Sequence, residues 1–150
     1  MLLVINNLLD KNAVRECRAQ LDAAEWLDGR LTAGATARQV KQNQQLADNN
    51  PVAVAIGKQI LELLMQQANF IAAALPLRIH PPKFNRYADG GHYGNHVDNA
   101  VMKLPGSSTL MRSDLSATIF LSEPDEYDGG ELVIETRFGS PRVKLPAGSM

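Results

Sequence analysis

The run Tyr87-Ala88-Asp89-Gly90-Gly91-His92-Tyr93-Gly94-Asn95-His96-Val97-Asp98 gathers side chains suited to metal chemistry. Three glycines within five residues exclude a stable helix there. His92 and His96 are therefore not a helical i, i+4 metal pair, despite that spacing. On an extended chain, residues two apart project to the same side. His96 and Asp98 then converge on one point, an imidazole beside a carboxylate. That is two thirds of a 2-His-1-carboxylate facial triad, which holds ferrous iron on one face and leaves positions open for substrates. A bare His-x-Asp triplet equally describes a solvated strand end, so its setting carries the weight.

Other polar residues have plainer accounts. His92 suits loop shaping, or the mouth of a cavity, better than metal binding. Arg112 and Asp114 read as an ion pair at a strand start. Glu123, Asp125, Glu126, Asp128 and Glu131 lack the spacing of a calcium loop and read as a solvated turn. No helix N-terminus follows Gly129-Gly130, so those glycines are not a phosphate cradle. Cys17 falls on an apolar helix face and reads as inert core. As the one cysteine it permits no intramolecular disulfide, which fits a reducing cytoplasm.

The elements that must position these residues change character near residue 75. Seven of the eight prolines, eight of the eleven glycines and all three histidines lie beyond it. Before it the chain reads as helices. Asp10 is an N-cap for a helix over about Lys11 to Asp28, with Leu9 and Val14 as a hydrophobic staple. Val14, Cys17, Leu21, Ala24 and Leu27 share its apolar face, and Gly29 ends it. The Gln- and Ala-rich segment from about Ala35 to Asp48 is expected to be helical. Asn50 and Pro51 open a further helix, bounded by Pro76. Its apolar side is Val52, Ile56, Ile60, Leu63, Leu64, Phe70 and Ile71.

Beyond residue 76 the period is two. Leu77 to Tyr87 is extended, broken by Pro81-Pro82. Leu115, Ala117, Ile119 and Leu121 alternate with Ser116, Thr118, Phe120 and Ser122. Glu131 to Glu135 alternates again, and Val143 and Leu145 suggest one more strand. Met1 to Asp10 is apolar, lacks a positively charged lead and reads as a strand, not a signal peptide. Met150 follows a Pro-Ala-Gly-Ser turn where another strand is expected. A sheet that stops there leaves an unpaired edge, so the chain reads as truncated.

With 150 residues, the chain is long enough for one domain without disulfide staples. A net charge of −1 argues against a partner tracked through phosphates, so no nucleic acid is expected. It also argues against a polybasic membrane anchor. No apolar run approaches the roughly 20 residues of a membrane span.

Three blocks together resemble a known family. They are Tyr87-x-x-Gly90 with Tyr93-Gly94-x-His96-x-Asp98, then Arg112-Ser113-Asp114-Leu115-Ser116-Ala117-Thr118-Ile119-Phe120-Leu121-Ser122, then Tyr127-Asp128-Gly129-Gly130-Glu131-Leu132. The chain is similar over nearly its whole length to the bacterial PKHD-type hydroxylases. These are prolyl-4-hydroxylase-like iron(II)/2-oxoglutarate dioxygenases. The resemblance implies an α+β fold: a double-stranded β-helix, or jelly roll, with N-terminal helices packed outside it and its final strands missing. Residues 1–150 then form a single truncated domain, with 1–76 as mainly helical support and 77–150 as jelly-roll strands carrying the metal motif.

The resemblance further implies Fe(2+) bound by His96 and Asp98, 2-oxoglutarate as cosubstrate near Tyr87, and ascorbate. The reaction is hydroxylation of a substrate C–H coupled to decarboxylation of 2-oxoglutarate. O2 and a small-molecule or protein side-chain substrate are the partners, in the cytoplasm, and a homo-oligomer is compatible with the sequence. The family's distal histidine and 2-oxoglutarate-binding basic residue are expected after Met150, so the 150-residue form is expected to be inactive. A non-catalytic jelly-roll module that binds metal or ligand is the alternative. A zinc hydrolase is the weaker third reading, because only two ligands can be named.

Overall fold

The computed structural model describes residues 2–32 and 37–150. Among them the helices are α1 (Lys11–Asp22), α2 (Pro51–Leu64) and α3 (Ala68–Ala74). The strands are β1 (Leu27–Asp28), β2 (Lys41–Gln42), β3 (Gln44–Gln45), β4 (Asn85–Arg86), β5 (His92–Tyr93), β6 (Val101–Lys103), β7 (Leu110–Arg112), β8 (Leu132–Val133) and β9 (Arg142–Val143). Short 3-10 turns cover Gly29–Thr32 and Ala37–Val40. All pairings are antiparallel: β1-β3-β4 form one sheet, and β2-β5, β6-β7 and β8-β9 form three ribbons. The chain groups into two compact units, one of Met1–Arg18 with Ala117–Met150 and one of Ala19–Ser116.

The first unit ties its two ends together through the backbone. Ile5 exchanges two hydrogen bonds with Met150, at 2.8 and 2.9 Å. Leu9 N–H donates to the Gly148 carbonyl at 3.0 Å, and Gly148 N–H to Phe120 at 2.7 Å. Gly148 sits at φ +88, and a Cβ there would lie 2.2 Å from the Leu9 carbonyl oxygen, so no other residue fits without displacement. The Asp10 carboxylate accepts from Ala13 N–H at 2.8 Å, as the N-cap reading expects. Leu9, Val14 and Cys17 are buried with Ile5, Leu8 and Val143. Met1 is outside the described residues. The rest of the expected N-terminal strand is not a strand: it makes the Ile5–Met150 pairing, turns, and bonds again through Leu9 to Gly148.

The second unit departs from the sequence reading in three places. α1 ends at Asp22, short of Asp28. The Trp26 indole N–H donates to the Leu21 carbonyl at 2.9 Å, satisfying a helix-end acceptor from a side chain. Leu27 consequently lies in β1 at 39% exposure and off the apolar face. The segment expected to be helical is a 3-10 turn followed by β2 and β3; its first residues, Ala35 and Thr36, lie outside the described residues. There Lys41, Asn43 and Gln45 are buried while Gln42 and Gln44 are exposed, an alternation of period two made by polar side chains. Lastly, the helix opened by Asn50 divides into α2 and α3 around Met65.

Asn50 Oδ1 accepts from Val52 N–H at 2.9 Å and Ala53 N–H at 3.3 Å, with Pro51 at the first helical position. α2 buries Ala53, Ile56, Ile60 and Leu64. Phe70 of α3, Leu46 and Phe84 are buried in the same unit. The alternating run Leu115 to Leu121 forms no strand among the described residues. Of it, only Phe120 bonds to backbone, to Gly148 and Ser149.

Candidate metal centre

β2 and β5 build the centre from below. Lys41 pairs with Tyr93 and Gln42 with His92, and Gly94 N–H donates to the Val40 carbonyl at 2.8 Å. Gly91 makes this approach possible: a Cβ there would stand 2.9 Å from both the Ala88 and Gln42 carbonyl oxygens. The ladder sets Tyr93, and the chain then turns back on that ring. The His96 imidazole stacks on Tyr93 with centroids 3.5 Å apart and planes 9° apart. Stacking removes rotational freedom from a ring that would otherwise swing from a Gly-flanked segment.

His96 and Asp98 come together. His96 Nδ1 lies 2.7 Å from the Gly94 carbonyl and Nε2 lies 3.3 Å from Asp98 Oδ1. With Nδ1 donating to the carbonyl, the neutral imidazole turns its Nε2 lone pair toward the carboxylate. Two lone pairs facing each other need a positive charge between them, either a proton or a cation. Donors about 2.1 Å from one divalent ion and at right angles to it lie about 3 Å apart. The chemistry and spacing of this donor pair fit such an ion. Among the described residues no third His, Cys, Asp or Glu joins them.

Tyr87 reaches this pair only indirectly. Burial raises its phenol pKa, a hydrogen bond with the Asn43 side chain opposes that, and nearby Tyr93 adds to the rise. Tyr93 is itself raised, first by burial and then by the Asp98 charge, so both phenols keep their protons near neutrality. His92 is exposed with Nδ1 3.2 Å from the Gly90 carbonyl, the loop-shaping role expected of it. His80 Nδ1 lies 2.8 Å from the Pro81 carbonyl. Arg112 and Asp114 form an exposed ion pair at 2.7 Å. Cys17 is buried, and its thiol is raised by burial and by the neighbouring Glu16 charge.

Sequence reasoning missed Tyr93 as the ring that holds His96, and Lys41 as its neighbour on the other strand. The Lys41 ammonium lies 5.2 Å from the Tyr93 ring centroid and donates to Gln45 Oε1 at 3.0 Å. The available signal was the alternation of Lys41, Asn43 and Gln45, which a helical reading of the segment conceals.

Comparison with known proteins follows the same lines. The profile of the 2OG-Fe(II) oxygenase superfamily matches residues 82–149. The chain is 58% identical over 150 residues to a PKHD-type hydroxylase of Acidovorax ebreus (strain TPSY). It is 53% identical over 150 residues to one of Parvibaculum lavamentivorans, and 53% over 148 residues to one of Delftia acidovorans. These alignments cover 99–100% of this chain and 66% of each relative, so the chain spans just under two thirds of the length of the curated relatives it matches.

Proposed function

Because this chain belongs to the 2OG-Fe(II) oxygenase superfamily, within the PKHD-type hydroxylases, we propose that it serves an iron(II)- and 2-oxoglutarate-dependent hydroxylation with His96 and Asp98 as metal ligands. The observation that carries this reading is the 3.3 Å approach of His96 Nε2 to Asp98 Oδ1. The family's jelly roll is the fold we assign, with residues 1–150 as one domain in which 1–76 support and 77–150 carry the metal motif. Bound iron supplies the redox chemistry: O2 is consumed, 2-oxoglutarate becomes succinate and CO2, and the second oxygen atom enters a substrate C–H bond.

This chain's own residues do the positioning. The Gly94 carbonyl and the Tyr93 ring fix the tautomer and plane of His96. Asp98 contributes the negative charge that partly neutralises a divalent ion. Tyr87, protonated near neutrality, is the donor we assign to 2-oxoglutarate. Ascorbate is the reductant we expect to sustain turnover.

The test is metal binding in single variants. His96→Ala and Asp98→Ala should each weaken Mn(II) affinity at least about tenfold while leaving the far-ultraviolet dichroism unchanged. Wild-type affinity in both variants overturns the assignment. Two protein donors also favour a second reading for the 150-residue chain alone: a metal- or ligand-binding module with little turnover. Succinate formation with added iron, ascorbate and 2-oxoglutarate decides between them, and robust turnover excludes the module.

A further inference from the structure

A cavity of about 580 Å3 opens against β2. Its wall carries three cations, Arg30, Arg38 and Lys41, against one carboxylate, Asp28, with His92 at the edge. Arg30 is committed to Asp28 through a two-pronged ion pair, at 2.5 Å for its closest contact. Arg38 donates through Nε to the Arg30 carbonyl at 3.1 Å, and among the described residues no carboxylate lies within ion-pair distance of it. Lys41 is 8% exposed, its ammonium donates to Gln45 Oε1 at 3.0 Å, and burial lowers its pKa. The rest of the lining is amide-rich. Asn43 is among the lining residues, but its Oδ1 is buried against Gly29 and does not open to the cavity.

The cavity is tied to the metal centre by the β2–β5 ladder. Lys41 and Gln42 line it, and they pair with Tyr93 and His92. Tyr93 in turn stacks on His96. A surplus of fixed cations in a cavity one strand away from an oxidising centre suits an anion that must be held while another part of the same molecule reacts.

We propose that this cavity anchors the molecule to be hydroxylated, and that this substrate carries an oxyanion, a carboxylate or phosphate, held by Arg38 and Lys41. The proposal rests on the reading of His96 and Asp98 as the metal centre.

Inorganic phosphate is the probe, titrated into the nitrogen-labelled chain at low salt. Amide shifts should concentrate on Val40 to Gln44 and on His92. Arg38→Gln should weaken phosphate binding about tenfold, and Arg38→Lys should recover part of the loss. Arg38 is exposed, so neither change threatens the fold. Saturating 2-oxoglutarate should leave the phosphate shifts in place. Absent or scattered shifts, or shifts indifferent to Arg38→Gln, overturn the proposal. Displacement of phosphate by 2-oxoglutarate also overturns it, because the cavity then belongs to the cosubstrate. Mn(II) broadening at His96 and Asp98 in phosphate-free samples tests the metal centre separately. Its absence counts against that centre and not against an oxyanion site.

Discussion

A single carbonyl decides how His96 presents itself. The sequence places His96 and Asp98 two apart, and extended geometry turns both to one side. It does not reveal that Gly94 accepts from Nδ1 or that Tyr93 flattens against the ring, because both contacts depend on a turn at Gly94 and Asn95. Asp28 offers a test at this scale. Hydrogen bonds from Arg30 hold its carboxyl down to about 2, against about 3.9 for a free aspartate. A depressed folded value means the pair's contribution is complete above about pH 4 and is lost as pH falls through about 2. The Asp28 carboxyl resonance should therefore titrate near 2, and Arg30→Ala should raise its midpoint toward the ordinary range, the backbone N–H bond at position 30 remaining. A midpoint near 4 in the unaltered chain would refute the pairing.

At the level of elements, caps were legible and polar strands were not. Asp10 and Asn50 are short polar residues placed just before apolar periodicity, and both accept from the first free N–H groups. Asn50→Ala should cost about 1 kcal/mol in denaturant unfolding. β2 and β3 escaped notice because their inward residues are Lys41, Asn43 and Gln45, which carry no hydrophobic alternation. What holds them is pairing with β5, β1 and β4, segments distant in sequence. Gly148 is the opposite case, an apparently ordinary turn glycine with no free space around it. Gly148→Ala should destabilise the first unit by about 1–3 kcal/mol, from both the positive φ and the Leu9 carbonyl. Unchanged stability would show that this close approach does not exist in solution.

Across the molecule, stability concentrates in a few apolar positions. Ile56 is 1% exposed and Ile60 2%, whereas Leu77, Val97 and Phe138 stand almost fully in solvent. Ile56→Ala should lower unfolding stability by about 2–5 kcal/mol, read from the denaturation midpoint. A loss below about 1 kcal/mol would mean that α2 is not packed as described. Cys17, buried and with its thiol pushed up, should react with a thiol reagent far more slowly in the native chain than in urea. Equal rates would place it outside the core.

The sequence by itself carried the family resemblance, and it determined the starts of α1 and α2 and the approach of one imidazole to one carboxylate, because local stereochemistry fixes caps, glycine turns and the side on which alternate residues project. Only the tertiary structure decided that a polar segment far upstream lies beside those residues. It also decided that Tyr93 buttresses His96 and that Arg38 and Lys41 share a cavity. Strand pairing between distant segments depends on where the rest of the chain can satisfy its backbone groups, and no local pattern in residues 41–45 records that choice.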